Sequence, residues 1–170
     1  MPESERITIG IDPGTAILGY GVIAGDGDAR LIDYGIFETA KDREMPDRLV
    51  TLYDAVTRLI AEHDPDDVAV EQLFFARNVT TAIAVGQARG VVLLAAAQQG
   101  VPVAEYSPSE VKSAIVGYGK ADKRQMQEMV RIMLGLDAVP QPDDAADALA
   151  IALCHAQMRQ FTARVGGSLS

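Results

Sequence analysis

The sequence predicts an α/β fold in which a mixed five-stranded sheet is flanked by helices. Short apolar runs typical of strands occupy the start of the chain, and longer stretches with helical spacing of apolar residues dominate the rest. The predicted order is three strands, then helix–strand–helix–strand, then helices, which favours a mixed sheet with helices on both faces. With 170 residues, 48% of them hydrophobic, the chain has the size of one domain with a substantial core.

The first three predicted elements are strands. Isoleucines at alternate positions mark a strand over residues 6–12, and apolar runs mark two more over residues 18–24 and 31–37. Residues 25–28 have the sequence Gly-Asp-Gly-Asp, and an Asp-Gly pair suits the positive φ of a tight hairpin turn. The three strands are therefore expected to form an antiparallel meander.

Helices and strands alternate in the middle of the chain. Residues 47–63 carry apolar side chains at helical spacing, and residues 67–71 form a short buried strand. A long, very apolar helix is predicted over residues 78–99, with Gly100 closing it, and a fifth strand over residues 101–106.

Three helices complete the predicted fold. The first has a capping-box sequence that begins at Ser107, the second begins after Asp122, and the last covers residues 143–161. We expect residues 1–161 to form a single domain and residues 162–170 to be a flexible tail.

The composition favours a cytoplasmic protein without a membrane partner. No signal-peptide pattern is present, and the most apolar stretch, residues 79–97, contains Gln87 and Arg89, which predicts a buried helix and not a membrane span. Cys154 is the only cysteine, so neither an internal disulfide nor a cysteine metal cluster can form.

The formal net charge of −9 is unevenly distributed. Residues 1–75 hold 6 basic and 16 acidic residues, whereas residues 76–131 hold 7 basic and 4 acidic ones. An acidic chain at first argues against a nucleic-acid partner, but its middle third is locally basic. Net charge therefore neither favours nor excludes a nucleic-acid partner.

Four acidic residues in three separate places are the candidate catalytic residues. Asp12 and Glu71 end apolar strands, and ligands of open α/β sheets gather beyond the C-terminal ends of strands. Asp144 and Asp147 are three residues apart in a predicted helix, so they share a face, ~4.5 Å apart along the axis. If the first and fourth strands are neighbours, Asp12 and Glu71 converge.

Such a cluster indicates divalent metal chemistry on a phosphate substrate. Neighbouring carboxylates repel one another and are costly to desolvate unless cations neutralise them. Oxygen ligands without cysteine suit Mg²⁺ or Mn²⁺ better than Zn²⁺. Two such ions ~3.5–4 Å apart would activate a water and stabilise the leaving 3′ oxygen of an in-line displacement.

Each carboxylate also has an ordinary structural interpretation. Asp12 could be a turn residue before Pro13, and Asp144 could be a helix cap. Glu71 could simply be exposed at the end of its strand. Asp143 is expected at or before the helix cap and is not counted among the metal ligands.

A set of ordered segments matches a known family. The segments are residues 10–15, 19–21, 71–74, 76–78, 86–90, 107–108, 111–112, 116–117, 119–123 and 144–150. On these segments, and across nearly its whole length, the chain resembles the RuvC family of Holliday junction resolvases.

The resemblance implies an RNase H-like fold, a homodimer and nicking of two opposed strands of a four-way DNA junction. The implied reaction depends on Mg²⁺, leaves 5′-phosphate and 3′-hydroxyl ends, and serves recombination and DNA repair. It implies catalytic and metal-binding roles for Asp12, Glu71, Asp144 and Asp147; some members have histidine at the position of Asp144. It also implies coupling to the branch-migration proteins RuvA and RuvB.

The resemblance also implies DNA-binding residues. It assigns Phe74 to stacking on bases at the junction centre, where every base offers a π face. From sequence alone, the favoured interpretation is that Phe74 or Phe75 anchors the loop to the core. The candidate phosphate contacts are five of the seven basic residues of the middle third: Arg77, Lys112, Lys120, Lys123 and Arg124. The resemblance favours Lys112 and Lys123 among them, and the alternative for all five is a solvated surface charge.

Two further features of the predicted helices bear on function. Gly86 and Gly90 lie one turn apart and permit close packing, either on the sheet or, as the resemblance implies, near a dimer interface. His155 lies on the Asp144 face of the last helix but ~16 Å farther along its axis, so it is not expected to share the carboxylate site.

Three other functions remain as alternatives. One is an ATPase of the actin, Hsp70 and sugar-kinase type, which also opens with a strand, an Asp and a Gly-Thr turn. That class needs two such domains and does not predict the basic segment 112–124. The others are a DNA-structure-binding module without catalysis and an RNase H-like nuclease that acts on RNA–DNA hybrids.

Overall fold

Five strands form one mixed sheet. The computed structural model describes residues 4–72 and 78–167. The strands are β1 (Ile7–Asp12), β2 (Ile17–Ala24), β3 (Arg30–Glu38), β4 (Asp67–Glu71) and β5 (Val103–Tyr106). They lie in the order β3-β2-β1-β4-β5; β2 is antiparallel to β1 and β3, whereas β4 is parallel to β1 and β5. The predicted mixed five-stranded sheet is confirmed, and its first and fourth strands are neighbours, which is the condition for convergence of Asp12 and Glu71.

Helices cover both faces of the sheet. They are α1 (Met45–His63), α2 (Val79–Gln98), α3 (Pro108–Val116), α4 (Lys123–Met133) and α5 (Asp143–Gly167). Helices α1 and α2 share one core cluster with the sheet, and α3, α4 and α5 share another. Helix α5 continues with exposed side chains to Gly167, past the predicted end at residue 161. The division into a domain of residues 1–161 and a flexible tail remains a prediction.

The alternation along β1 assigns its side chains to the two cores. Ile9 and Ile11 are fully buried in the cluster that contains α1 and α2. Because side chains alternate along a strand, Thr8, Gly10 and Asp12 face the opposite side, where α5 lies. The carboxylate of Asp12, the last residue of β1, therefore lies on the α5 side of the sheet.

Glycines in β1 and β2 allow α5 to lie directly on the sheet. A Cβ added at Gly10 would stand 2.7 Å from the backbone nitrogen of Ala152, and one added at Gly21 would stand 2.5 Å from Cδ2 of Leu149. Both separations are much shorter than the optimal contact distance, which is about 3.5–4.0 Å for a pair of carbon atoms. Glycine in these strands therefore marks the close approach of another backbone.

A polar network holds the far end of α5 on the sheet. Arg159 donates hydrogen bonds to Asp26 (Nε to Oδ1, 2.9 Å) and to Thr8 (Nη2 to Oγ1, 3.0 Å), and it forms an ion pair with Asp67. One turn earlier, Nε2 of His155 lies 3.1 Å from Oδ2 of the same Asp67. The helix is thus fixed to β1, to β4 and to the turn after β2.

Helix α2 is less buried than the sequence predicts. Among the described residues it is the one helix with the length and apolar composition to cross a membrane. Ala88 and Val92 are fully buried against α1 and the sheet, but Val79, Ile83 and Leu94 are 72%, 57% and 51% exposed. One face of α2 is therefore part of the core, and the opposite face is apolar and open.

Candidate active site

Asp12 and Glu71 end neighbouring parallel strands. The β1–β4 register pairs Ile11 with Val70, so the next residue on each strand is one of the two acids. Adjacent strands are about 4.8 Å apart. Both acids project to the α5 side because they lie two residues beyond Gly10 and Ala69, which face that side. The predicted convergence of the two strand-end carboxylates is therefore present.

The first turns of α5 bring two more carboxylates to the same edge. The backbone of Asp144 lies against Gly19, which pairs with Asp12 in the β1–β2 register. Asp147 follows three residues later and lines a cleft together with Glu71. The carboxylates predicted from three separate segments thus gather where β1 and β4 end.

Burial and mutual repulsion govern the protonation of this cluster. Burial, and then the charge of Glu71, raise the pKa of Asp12 to about 8; the charges of Asp147 and Asp144 act in the same direction, and Lys123 opposes them. Burial likewise raises the pKa of Glu71, with a contribution from Asp147. Burial also raises the pKa of Asp147. The ionised cluster is therefore costly without a compensating cation.

The cleft beside the carboxylates has a volume of about 370 Å³. Its charged residues are Glu71 and Asp147 together with Lys112 from α3, Asp122, and Lys123 from α4. Both helices begin with capping boxes, which fix where each helix starts. Two of the predicted phosphate-binding lysines therefore border the candidate catalytic carboxylates, as a site for a polyanion would require.

Two other predicted DNA contacts that lie within the described residues, Lys120 and Arg124, do not line this cleft. Lys120 is exposed in the loop between α3 and α4. Arg124 is exposed on α4 and lines a separate surface depression with Glu128. Phe74 and Arg77 lie outside the described residues.

The donor chemistry of the cluster fits a hard divalent cation. Every candidate ligand is a carboxylate, and ligation favours the ionised form that burial disfavours. Within residues 4–72 and 78–167, no three His, Cys, Asp or Glu side chains are placed so that they could hold a metal ion as they stand. Binding a metal would therefore require the carboxylates to draw together around it.

The role of the glycines in β1 and β2 was not predicted from the sequence. Gly10 and Gly19 belong to the segments that carry the family resemblance, and they set the distance between α5 and the ends of the strands. A usable signal was present, because glycine inside a strand often marks a close approach of another backbone. The Gly-Tyr-Gly sequence at residues 19–21 places two glycines on one face of β2.

Comparison with known sequences identifies close relatives. The family model described as "Crossover junction endodeoxyribonuclease RuvC" matches residues 8–155. Proteins of that name from Desulfitobacterium hafniense (strain DSM 10664 / DCB-2) and Chloroflexus aggregans are both 57% identical to this chain. The first alignment covers 96% of this chain and 99% of the relative, and the second covers 94% and 98%.

Solved structures agree with this assignment. Thermus thermophilus RuvC is 41% identical, with a TM-score of 0.87 and coverage of 92% of this chain and 97% of that chain. T. thermophilus RuvC in complex with Holliday junction substrate gives a TM-score of 0.88 at 41% identity, with coverage of 92% and 96%. The predicted RNase H-like fold is confirmed. The chain belongs to the RuvC family of crossover junction endodeoxyribonucleases.

Proposed function

We propose that this chain is a structure-specific endonuclease that resolves four-way DNA junctions by symmetric, metal-dependent nicking. The observation that carries the proposal is the gathering of Asp12, Glu71 and Asp147 at the strand ends, beside a cleft bordered by two lysines. Family membership and the 41% identical relative in complex with Holliday junction substrate support the substrate class. The products are 5′-phosphate and 3′-hydroxyl ends, as recombination and DNA repair require.

In this proposal the four carboxylates hold Mg²⁺, as two ions per site, with Mn²⁺ as an alternative. When bound, these ions supply an activated water and stabilise the charge that develops on the leaving oxygen. The low-dielectric setting of Asp12 and Glu71 strengthens every charge interaction at the strand ends. The protein contributes position: β1, β4 and α5 present their acids at one edge of the sheet.

The basic residues are proposed to hold the DNA backbone. Lys112 lies near Glu71, since its charge acts on the pKa of that carboxyl, and Lys123 acts likewise on Asp12. Both ammonium groups can therefore neutralise phosphates that would otherwise be repelled by the acids. The exposed residues Lys120 and Arg124 would extend this contact along the backbone. Stacking by Phe74 and a phosphate contact by Arg77 remain sequence-based proposals.

A homodimer would account for two symmetric nicks. The open face of α2 carries Ile83, Gly90 and Leu94, whose spacing of seven and four residues places them on one side of the helix. A contiguous apolar face of this kind is typical of an interaction surface. Sedimentation at micromolar concentration should give a dimer, and Leu94→Arg should give a monomer that remains folded. A wild-type monomer under these conditions would contradict the dimer.

The cellular setting follows from the same proposal. A protein that cuts junctions in the chromosome would act in the cytoplasm. It would receive its substrate from the branch-migration proteins RuvA and RuvB. A pull-down with purified RuvA and RuvB on junction DNA tests the second statement.

A denaturing gel of a synthetic four-way junction tests the reaction. The protein is incubated with Mg²⁺, with Mn²⁺ and with EDTA, beside a linear duplex, an RNA–DNA hybrid and the Asp12→Asn variant. We expect metal-dependent, symmetric nicks on the junction alone and none with the variant. Cleavage of the hybrid would favour an RNA-directed nuclease instead. Junction binding without nicks, across junctions of randomised sequence, would favour a binding module without catalysis.

A further inference from the structure

Asp143 and Lys123 form an ion pair at the mouth of the carboxylate cleft. Lys123 is the first residue of α4, Asp143 is the first residue of α5, and Nζ lies 2.9 Å from Oδ2. The second carboxylate oxygen, Oδ1, accepts a hydrogen bond of 3.0 Å from Nε2 of Gln127 on α4. Both oxygens of Asp143 are thus engaged.

This arrangement restrains the direction of a flexible side chain in an ion pair that is about half exposed. A lysine carries its charge on a four-carbon stem with many rotamers, so an unrestrained ammonium spends little time in any one position. The bond from Gln127 orients the Asp143 carboxylate, and that carboxylate in turn orients Lys123. The same pair holds the starts of α4 and α5 together.

Lys123 is held close enough to the carboxylate cluster for its charge to interact with it. It lines the cleft together with Glu71 and Asp147, and its charge opposes the rise in the pKa of Asp12. An ammonium group has three N–H donors. Asp143 uses one of them, so two remain for a phosphate in the cleft.

We propose that Asp143 is a positioning residue: with Gln127 it holds the Lys123 ammonium at the cleft, where that ammonium contacts a phosphate of the strand that is cut. The inference rests on the proposed nuclease function and deepens it. Asp143 touches neither DNA nor metal in this scheme and acts only through Lys123. Its removal should therefore slow the cleavage step more than it weakens binding.

The test compares five variants on one junction. Asp143→Asn keeps the size of the side chain but removes its charge, Asp143→Glu keeps the charge, and Lys123→Ala removes the partner. The double variant Asp143→Asn/Lys123→Ala completes the cycle. Asp54→Asn, an exposed acid on α1 across the sheet from α5, is the matched control for loss of one negative charge. For each protein the single-turnover nicking rate is measured with Mg²⁺, and the junction dissociation constant and its salt dependence are measured in EDTA.

The expected pattern separates positioning from other roles. Asp143→Asn should lower the nicking rate about tenfold, because small misplacements of a catalytic contact are costly. Its dissociation constant in EDTA should stay within about twofold of wild type, since the lysine that contacts the phosphate is still present. Asp143→Glu should recover most of the lost rate. In the Lys123→Ala background, Asp143→Asn should have no further effect.

Several results would overturn the inference. Asp143→Asn with the wild-type rate would show that the pair is not needed. The same loss of rate in the presence and absence of Lys123 would show that Asp143 acts independently, as a direct metal ligand would. Markedly tighter junction binding by Asp143→Asn would show that the acid competes with DNA for the lysine. A wild-type protein that does not nick junctions would instead overturn the proposed function, and with it this inference.

Discussion

Gly19 lies directly beneath the backbone of Asp144. A Cβ added at Gly19 would stand 2.5 Å from the carbonyl carbon of Asp144 and 3.1 Å from its Cβ. Because Gly19 pairs with Asp12 across β1 and β2, this contact fixes the distance between an acid on the helix and an acid on the strand. The absence of one methyl group therefore helps to set the geometry of the site.

We expect Gly19→Ala to lower both stability and activity. The added methyl group must push α5 away from β2, and overpacking of this kind costs about 1–3 kcal/mol. A displacement of about 1 Å at Asp144 should reduce the nicking rate about 100-fold. Thermal unfolding and single-turnover cleavage measure the two effects. Gly166→Ala, where a Cβ meets no atom within 4 Å, is the control and should behave like wild type.

We expect the metal-free protein to lose stability as pH rises, and Asp12→Asn to remove much of that loss. The pKa of Asp12 rises from 3.8 to about 8 on folding, so the native state binds the extra proton between these values. The free energy of unfolding therefore falls with rising pH across this window. At pH 8 in EDTA the free energy of unfolding of Asp12→Asn should exceed that of wild type by about 1 kcal/mol or more. Each kcal/mol should raise the melting temperature by roughly 2–4 °C.

Thermal unfolding between pH 5 and pH 8 measures this difference. The wild-type and Asp12→Asn curves should diverge as pH rises, while exposed Asp54→Asn should follow wild type. Parallel wild-type and Asp12→Asn curves would show that Asp12 does not carry the buried charge.

We expect Lys112→Ala to weaken junction binding and reduce its salt dependence. Each phosphate neutralised by a lysine contributes about 0.9 to the slope of log affinity against log salt concentration on B-form DNA. Lys41→Ala, which removes an exposed lysine in the loop between β3 and α1, is the matched control. Fluorescence anisotropy over a salt series measures both variants in EDTA. An unchanged slope for Lys112→Ala would remove Lys112 from the DNA contacts.

We expect Asp67→Asn to destabilise the protein at neutral pH through the network around Arg159. Burial alone would raise the pKa of Asp67, but hydrogen bonds from His155 and Arg159 outweigh it and hold the pKa below its usual value. The stabilisation is therefore present above the unfolded-state pKa, near 3.8, and is lost as pH falls through the native value. The cost at pH 7 should be about 1–3 kcal/mol.

Chemical denaturation at pH 7 and pH 3 measures this contribution. The difference between wild type and Asp67→Asn should shrink at pH 3, because that pH lies below the unfolded-state pKa near 3.8 and the unfolded carboxyl then binds a proton. A difference that is equal at both pH values would show that packing, and not the ion pair, is responsible.

Sequence by itself determined the local features of this protein. The alternation of apolar residues in β1 and the capping box at Ser107 and Glu110 depend on neighbours only a few residues away. The spacing of Asp144 and Asp147 places them on one helix face for the same reason. These features were predictable because helix and strand geometry repeats over short distances.

Tertiary structure decided which of these local faces meet. The contact of Gly19 with Asp144 and the ion pair of Lys123 with Asp143 join segments that are far apart in the chain. Helix α2 also keeps an apolar face exposed, although its composition predicted burial all round. Periodicity predicts that a side chain will be buried. It does not predict which helix or strand will pack on that side chain, because this depends on elements that are distant in the sequence. The site therefore depends on sequence for its acids and on long-range packing for their arrangement.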